Sequence, residues 1–279
     1  MIQIKTDAEI ALMRQAGLVV GRTLEKLKAA VAPGMTTADL DAIAEESIRG
    51  AGAIPSFLGY RGFPARICTS INDEIVHGIP NAKAVIRNGD IVSIDCGAIV
   101  DGYHGDAAVT VPVGEVKPDL LELLRVTEES LWHGIAAARL GGRLIDISRA
   151  IEDYVRSQRH PQADGPAGAS WGIVEEYVGH GIGTEMHQDP QVYNYVGRRM
   201  AKGPELVKGL ALAVEPMINL GGRATQVLDD GWTVVTQDGS ASAHFEHTFT
   251  LTERGPWVLT ALDGGEAKLS EMGALKATA

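Results

Sequence analysis

Two carboxylates stand where a buried strand should be apolar. Asp95 follows the β-rich run Ile91–Ile94, and Glu215 follows the apolar run Leu210–Val214. Burying an ionised carboxylate without a partner is costly, or it shifts the group's pKa until the charge is gone. Several such groups held together repel one another unless a cation lies between them. A chain that carries them inside its strands must bring them to one place, and that place asks for a metal.

Hairpin geometry sharpens this expectation. With Asp101 and Gly102 as a two-residue turn, Val100 pairs with Tyr103 and Asp95 lies opposite Ala108. Asp106 is then a diagonal neighbour of Asp95 on the same face, because side chains alternate with a period of two. A one-residue change in that loop places the two carboxylates on opposite faces. The plainer alternative is that Asp106, after Gly105, opens a turn. In the run His244–Phe249, Glu246 shares a face with His244 and Thr248. A Glu on the polar face of a strand is ordinarily just solvated. His180 sits among Gly179, Gly181 and Gly183, where backbone is free to approach an ion or a substrate, or where a turn carries an incidental His. His187 and His77 are further candidates, each with the ordinary reading of a hydrogen-bonded loop residue.

Asp95, Asp106, His180, Glu215 and Glu246 together offer four carboxylates and one imidazole. The set is oxygen-rich and free of thiolate, which suits Mn, Co, Fe or Zn better than a structural cysteine-type zinc site. Four negative charges balance two divalent ions, and ions so held acidify a bridging water to hydroxide at neutral pH.

The rest of the chain supplies a scaffold. Thr6 and Glu9 form a capping box, and Ile10, Met13, Val20, Leu24 and Leu27 recur on one helical face until Pro33-Gly34. Thr37 is expected to cap a second helix ending at Gly50, and further helices are predicted over 118–139 and 145–158. Strands are predicted on both sides of Asp101-Gly102 and from Leu210 to Asn219. A second hairpin, Trp232–Thr236 with Ala243–Thr252, is predicted around Asp238-Gly239. Helices, strands, helices, strands suggest two similar halves around a mostly antiparallel sheet, an α+β fold. Gly34…Ala42-Ile43 is echoed by Gly142…Ala150-Ile151 at an offset of 108. The halves are drawn as residues 1–113 and 114–262 of one domain, with 263–279 a flexible tail rich in Ala, Gly and Lys. At 36 acidic against 25 basic residues, a net charge of −11 argues against a nucleic-acid surface. Cys68 and Cys96 make neither a disulfide framework nor a thiolate metal motif, so a reducing cytoplasm is expected. No apolar leader and no run of eighteen apolar residues is seen, so neither a signal peptide nor a spanning helix is expected.

The five acid and histidine positions, with gaps of 11, 74, 35 and 31, resemble the ligand set of the pita-bread metallopeptidases. The surrounding words resemble the type I methionine aminopeptidases: SINDEIVHGIP at 70–80, GDIVSIDCGAIVDGYHGDAAVT at 89–110, GHGIGTEMHQDPQV at 179–192, LAVEPMI at 212–218 and DGWTVVTQDGSASAHFEHTFTLT at 230–252. The resemblance spans about residues 3–260 and implies helices on the outer face of a curved sheet. It implies two divalent metal ions per chain, with Asp95 bidentate on one, His180 and Glu215 on the other, and Asp106 and Glu246 bridging. It further implies Glu215 as general base and proton shuttle, His187 polarising the scissile carbonyl, and His77 contacting the scissile amide. The pocket for the methionine side chain falls on Tyr60, Phe63, Cys68, Met186 and Trp232, a lining of rings and sulfur suited to a thioether. Core packing is the plain alternative for Phe63 and Trp232. Asn72 and Ser242 match a monovalent-cation site. Met186 departs from the Phe common in bacterial relatives, which implies a softer pocket wall.

The activity implied is removal of N-terminal methionine from nascent chains and peptides whose second residue is small, by a monomeric enzyme with no membrane or nucleic-acid partner. Ribosome contact is left open. Prolidases and proline aminopeptidases share the metal site but usually carry a large N-terminal domain, whereas the first helix here begins at about residue 6. A type II insertion would lie between the last two glutamates, and that gap is only 31. An inactive binding protein on the same fold is the other alternative, and such proteins tend to lose ligands that are all present here. With Ile2 in second position, the chain is expected to keep its own Met1.

Overall fold

The computed structural model describes residues 2–163 and 169–276. Thr6 and Glu9 satisfy each other's backbone N–H groups and open α1 (Asp7–Ala30). The next helix, α2 (Thr37–Gly50), is capped one residue earlier than expected. Thr36 takes the cap because Asp39 completes its box, which frees the Thr37 hydroxyl to donate to the Asn81 carbonyl. The first half continues with β1 (Ile54–Pro55), β2 (Ile67–Ile71), β3 (Glu74–Val76), β4 (Ile91–Val100) and β5 (Tyr103–Pro112). Helices α3 (Pro118–Ala137) and α4 (Leu144–Ser157) open the second half. Its strands are β6 (Gly172–Ile173), β7 (Gly179–Gly181), β8 (Gln188–Val192), β9 (Ala211–Val214), β10 (Met217–Asn219), β11 (Thr225–Val227), β12 (Val234–Thr236), β13 (Ser242–His244), β14 (Glu246–Thr252) and β15 (Gly255–Val258). The short helix α5 (Glu266–Glu271) closes it.

The main sheet runs β1-β4-β5-β14-β9-β7-β8, with β2 added to β4 and β15 to β14. Its pairings are antiparallel. Two helix pairs cover it, each over its own apolar core. Beneath α1 and α2, Val20, Leu24, Leu27, Leu40 and Ile48 pack with Ile67, Ile94 and Cys96. Beneath α3 and α4, Leu123, Leu131, Ile135, Ile147 and Ile151 pack with Leu212, Val214 and Phe249. Because Ile94 and Cys96 face the helices, Asp95 between them faces away, toward the other side of the sheet. The helix-covered and functional faces are therefore separated by strand alternation alone. Arg14 ties the two ends of the domain together, its guanidinium donating to the carbonyls of Val258, Leu259, Ala261 and Leu262.

Two expectations are corrected here. Trp232–Thr252 is not a hairpin: β12 pairs with β3 and β11, β13 pairs with β10, and the chain breaks at Phe245 before β14 enters the main sheet between β5 and β9. The Asp238 carboxylate accepts from the N–H groups of Gly222 and Ser240, which draws the turn to the loop after β10 instead of letting its two arms zip. The stretch after 262 also differs from a frayed tail, since residues 263–276 carry α5. Leu269 and Ala274 are buried in the same core as Val258, Lys268 donates to Glu129 on α3, and Arg254 pairs with Glu266. Two apolar anchors suffice to seat a segment whose composition is otherwise polar and small. The retention of Met1 and the state of residues 277–279 lie outside the described residues. Among the described residues, no helix is long and apolar enough to cross a membrane.

Candidate metal centre

The register of the main sheet lays the acidic residues out in two rows on one face. Asp95 on β4 lies opposite Ala108 on β5, and Ala108 lies opposite Glu246 on β14. Glu215 follows β9 by one residue, just beyond the pair His247–Val214, which brings it beside Glu246. Two residues along, Gly97, Asp106, Thr248, Ala213 and His180 form the second row. The small residues Ala108 and Ala213 stand between the functional ones, while at the end of the second row Ser56 and Phe57 pack directly over Gly97. Cys68 on β2 pairs with Asp95 and extends the first row to the pocket side.

The glycines around His180 have a different use from the one expected. A Cβ at Gly179 would meet the Ala213 carbonyl oxygen at 2.3 Å, and one at Gly181 would meet that of Asp189 at 2.1 Å. They let β7 press between β8 and β9, so that only the His180 side chain projects. Its Nδ1 is 3.0 Å from the Gly181 carbonyl, which leaves Nε2 directed to Glu215 Oε1 at 3.5 Å.

Ligand atoms of Asp106, His180 and Glu246 all lie within 4.8 Å of one another, and all three residues are buried. Oδ1 of Asp95, Oδ1 of Asp106 and Oε1 of Glu246 accept no hydrogen bond from the described residues, although each is shut away from solvent. Burial, then the charges of Asp95 and Glu215, hold the Asp106 carboxyl well above the usual carboxylate range. Glu215 is raised by burial and by Asp95, and Glu246 by burial and by Asp106, Glu215 and Asp95. Burial brings Asp95 up to about 7. His180 moves the other way, to about 3, first through burial and then through His187. A neutral imidazole among crowded carboxylates with unused lone pairs is a donor set that fits divalent cations.

All twelve site residues expected from the sequence line one cavity of about 310 Å³. The Tyr60 hydroxyl is 2.8 Å from His187 Nδ1, and the two rings stack at 5.4 Å. His187 in turn lies 4.3 Å, ring to ring, from His180. His77 stands edge-on to Tyr177 and Trp232, and burial, with His187 second, lowers it to about 4. Phe63 and Trp232 meet edge to face at 5.1 Å beside Cys68 and Met186. Asn72 and Ser242 are adjacent, the Ser242 N–H donating to the Asn72 carbonyl at 2.8 Å. A larger concavity of about 780 Å³, lined by Tyr193, Tyr195, Met200 and their neighbours, holds one carboxylate, Asp189, and no histidine, so the chemistry belongs to the smaller one.

The sequence profile of metallopeptidase family M24 matches residues 11–253. The chain belongs to that family. As an M24 member it is 51% identical over 260 residues to a methionine aminopeptidase of Clostridium acetobutylicum, covering 93% of this chain and 99% of that one. It is 49% identical over 260 residues to methionine aminopeptidase 1 of Bacillus subtilis, covering 93% and 99%. Its pita-bread fold superposes on the crystal structure of a methionine aminopeptidase from Thermotoga maritima with a TM-score of 0.86, at 42% identity over 94% of this chain and all of that one.

Some residues of this M24 site escaped the sequence reading. His244 is buried, with Nε2 unpaired at 3.9 Å from Glu215 Oε2, and burial followed by His77 lowers it to about 3. Its place two residues before Glu246, on the same face, was the available signal. Phe57, Arg61, Glu176 and Tyr177 also line the cavity, and none carries a pattern that distinguishes it from an ordinary loop residue.

Proposed function

We propose that the chain removes N-terminal methionine from peptides and nascent proteins whose second residue is small, hydrolysing the first peptide bond at a site holding two divalent ions. The single observation that carries this reading is one cavity in which four crowded carboxylates and a neutral histidine meet a pocket of rings and sulfur. Asp95, Asp106, His180, Glu215 and Glu246 would hold the ions, drawn from Mn, Co, Fe or Zn, and four carboxylates match the charge of two. When bound, such ions supply Lewis acidity and a nucleophilic water at neutral pH.

The protein's own groups do the rest. The Tyr60 hydroxyl engages His187 Nδ1, so Nε2 is the atom left for the scissile carbonyl oxygen. Burial, then the positive charge of Arg61, holds His187 below its ordinary value, which keeps it a neutral donor at pH 7. His77, neutral for the same first reason, stands against Trp232 on the side from which the leaving amine departs. Glu215, beside His180 at 3.5 Å, would carry a proton between the attacking water and that amine. Phe63, Cys68, Met186 and Trp232 enclose the methionine side chain. Action on nascent chains would be cytoplasmic, and the form proposed is a monomer. A prolidase would share the metal ligands, and the identities of 51% and 49% to methionine aminopeptidases favour the methionine reading over it.

The test is methionine release from Met-Ala-Ser and Met-Leu-Ser by chelator-treated protein, before and after adding Mn²⁺ or Co²⁺. Metal-dependent cleavage of the first peptide alone is expected. A folded protein that releases nothing with any of the four metals overturns the enzyme reading in favour of a binding protein.

A further inference from the structure

Arg61 is held in an unusual backbone. It lies at φ 49°, in the left-handed region, within the turn Tyr60–Gly62. A non-glycine residue there stores strain that surrounding structure must hold in place. Backbone hydrogen bonds do so here: Tyr60 N–H to Phe57, Gly62 N–H to Gly59, Phe63 N–H to Tyr60 and Gly59 N–H to Phe63. The side chain is thereby presented, not left to wander. Its guanidinium lies over the Tyr60 ring at 5.4 Å, and that ring's hydroxyl is on His187. The residue is exposed.

Arg61 also stands at a seam. It lines both the cavity of the catalytic histidines and a second, open groove of about 540 Å³. His180, His187, Gln188 and Gln191 line that groove with Arg61, as do the acidic residues Glu185 and Asp189. A peptide whose scissile carbonyl sits at His187 must send its downstream residues out past this mouth. The guanidinium lies 5.4 Å from the Tyr60 ring, which lies 5.4 Å from the His187 ring, and two to three extended residues, at roughly 3.3–3.6 Å each, span such a separation.

We propose that Arg61 is a specificity-determining residue for the segment beyond the scissile bond, favouring substrates that carry a carboxylate at the third or fourth position. This rests on the aminopeptidase reading above. The carboxylate comes either from an Asp or Glu side chain or from the C-terminus of a short peptide. The preference among peptides falls in KM, whereas the effect of the Arg61 charge on His187 is common to all peptides and cancels in ratios taken within one enzyme. An exposed guanidinium–carboxylate pair supports about a two- to fivefold preference, and salt weakens it. Glu185 lines the same groove and opposes a second acid, so one carboxylate near Arg61 is favoured over a run of them.

The experiment compares KM within each enzyme. Met-Ala-Glu-Ser-amide is set against Met-Ala-Gln-Ser-amide and Met-Ala-Lys-Ser-amide to read a side-chain carboxylate. Met-Ala-Ser as free acid and as amide reads a terminal one. The wild type is expected to prefer each acidic peptide about two- to fivefold over its neutral twin, less so in 0.5 M KCl. In Arg61→Gln the ratio should fall to about one, and in Arg61→Glu the Lys peptide should lead. Because each ratio is taken within one enzyme, a general loss of activity cancels. A preference for only one of the two acidic pairs identifies the carboxylate's source. Equal KM values in the wild type, or a preference that survives in Arg61→Gln, overturn the proposal. Release from the neutral peptides alone leaves the aminopeptidase reading standing and removes this one, whereas no release from any peptide removes both.

Discussion

Replacing Asp95 by Asn should make the metal-free protein more stable while destroying its use. Burial raises the Asp95 carboxyl from 3.8 to about 7. Ionising it in the fold therefore costs on the order of 4 kcal/mol at pH 8 relative to the unfolded chain, at about 1.4 kcal/mol per unit. The sign follows from proton counting. Between pH 3.8 and 7 the native state keeps a proton that the unfolded state has released, so this group's contribution falls as pH rises through that window. Above it the cost is constant, and below it the cost is gone. An amide cannot ionise, and its NH₂ finds acceptors in the neighbouring carboxylates. The Asp95→Asn protein in chelator should thus gain roughly 2–4 kcal/mol at pH 8 and under about 2 at pH 5. At about 2 °C per kcal/mol for a chain of this size, that is about 4–8 °C in Tm at pH 8 by scanning calorimetry. Added Mn²⁺ at a hundredfold over Kd should raise the wild type by about 2.7 kcal/mol and the variant by much less. A variant that melts at or below wild type at pH 8 without metal, or one whose advantage is unchanged at pH 5, refutes the reasoning.

Two further substitutions probe the scaffold of the site and the domain's edge. Tyr60→Phe removes the hydroxyl from His187 Nδ1 and should lower kcat about tenfold with little change in KM, read on Met-Ala-Ser; an unchanged kcat would show that His187 holds its orientation without it. Leu269→Ala empties the fully buried anchor of α5 and should cost about 2–3 kcal/mol, some 4–6 °C in Tm, with activity at 25 °C preserved because α5 lies outside the cavity.

The reach of sequence reasoning can be traced residue by residue. The Asp95–Asp106 relationship was legible because a two-residue turn fixes its own register, and the pairing Val100–Tyr103 and Asp95–Ala108 follows without any knowledge of the fold. Glu246 was not legible as a neighbour. Its place depends on β14 entering between β5 and β9, a contact across more than a hundred residues that no local pattern encodes. Resemblance supplied that step. The misjudged hairpin at Asp238-Gly239 has the opposite cause: a sound local turn signal was overruled by strands that found better partners in β3 and β10. His244 was passed over although it stands two residues before Glu246, because an imidazole beside an acid on the polar face of a strand is ordinarily just solvated. The α5 anchor was hidden by composition, since two apolar side chains among Ala, Gly and Lys do not make a periodic pattern.

The clamp of Arg14 on the carbonyls of residues 258–262, together with the insertion of β14, bears on how the chain is made. Synthesis runs from the N-terminus, and long-range strand pairing is the slow part of folding. When α1 through β9 have emerged, β5 and β9 still flank a gap with no strand to fill it, and the Arg14 guanidinium has nothing to grip. Asp95, Asp106, His180 and Glu215 are present by then, but Glu246 and the closing turn of chain are not. The strand that fills the middle of the sheet is thus its keystone, although it is made after both of its neighbours. On the proposed function, a protein that trims other chains at their beginnings becomes competent only when β14 has brought Glu246 to the other ligands.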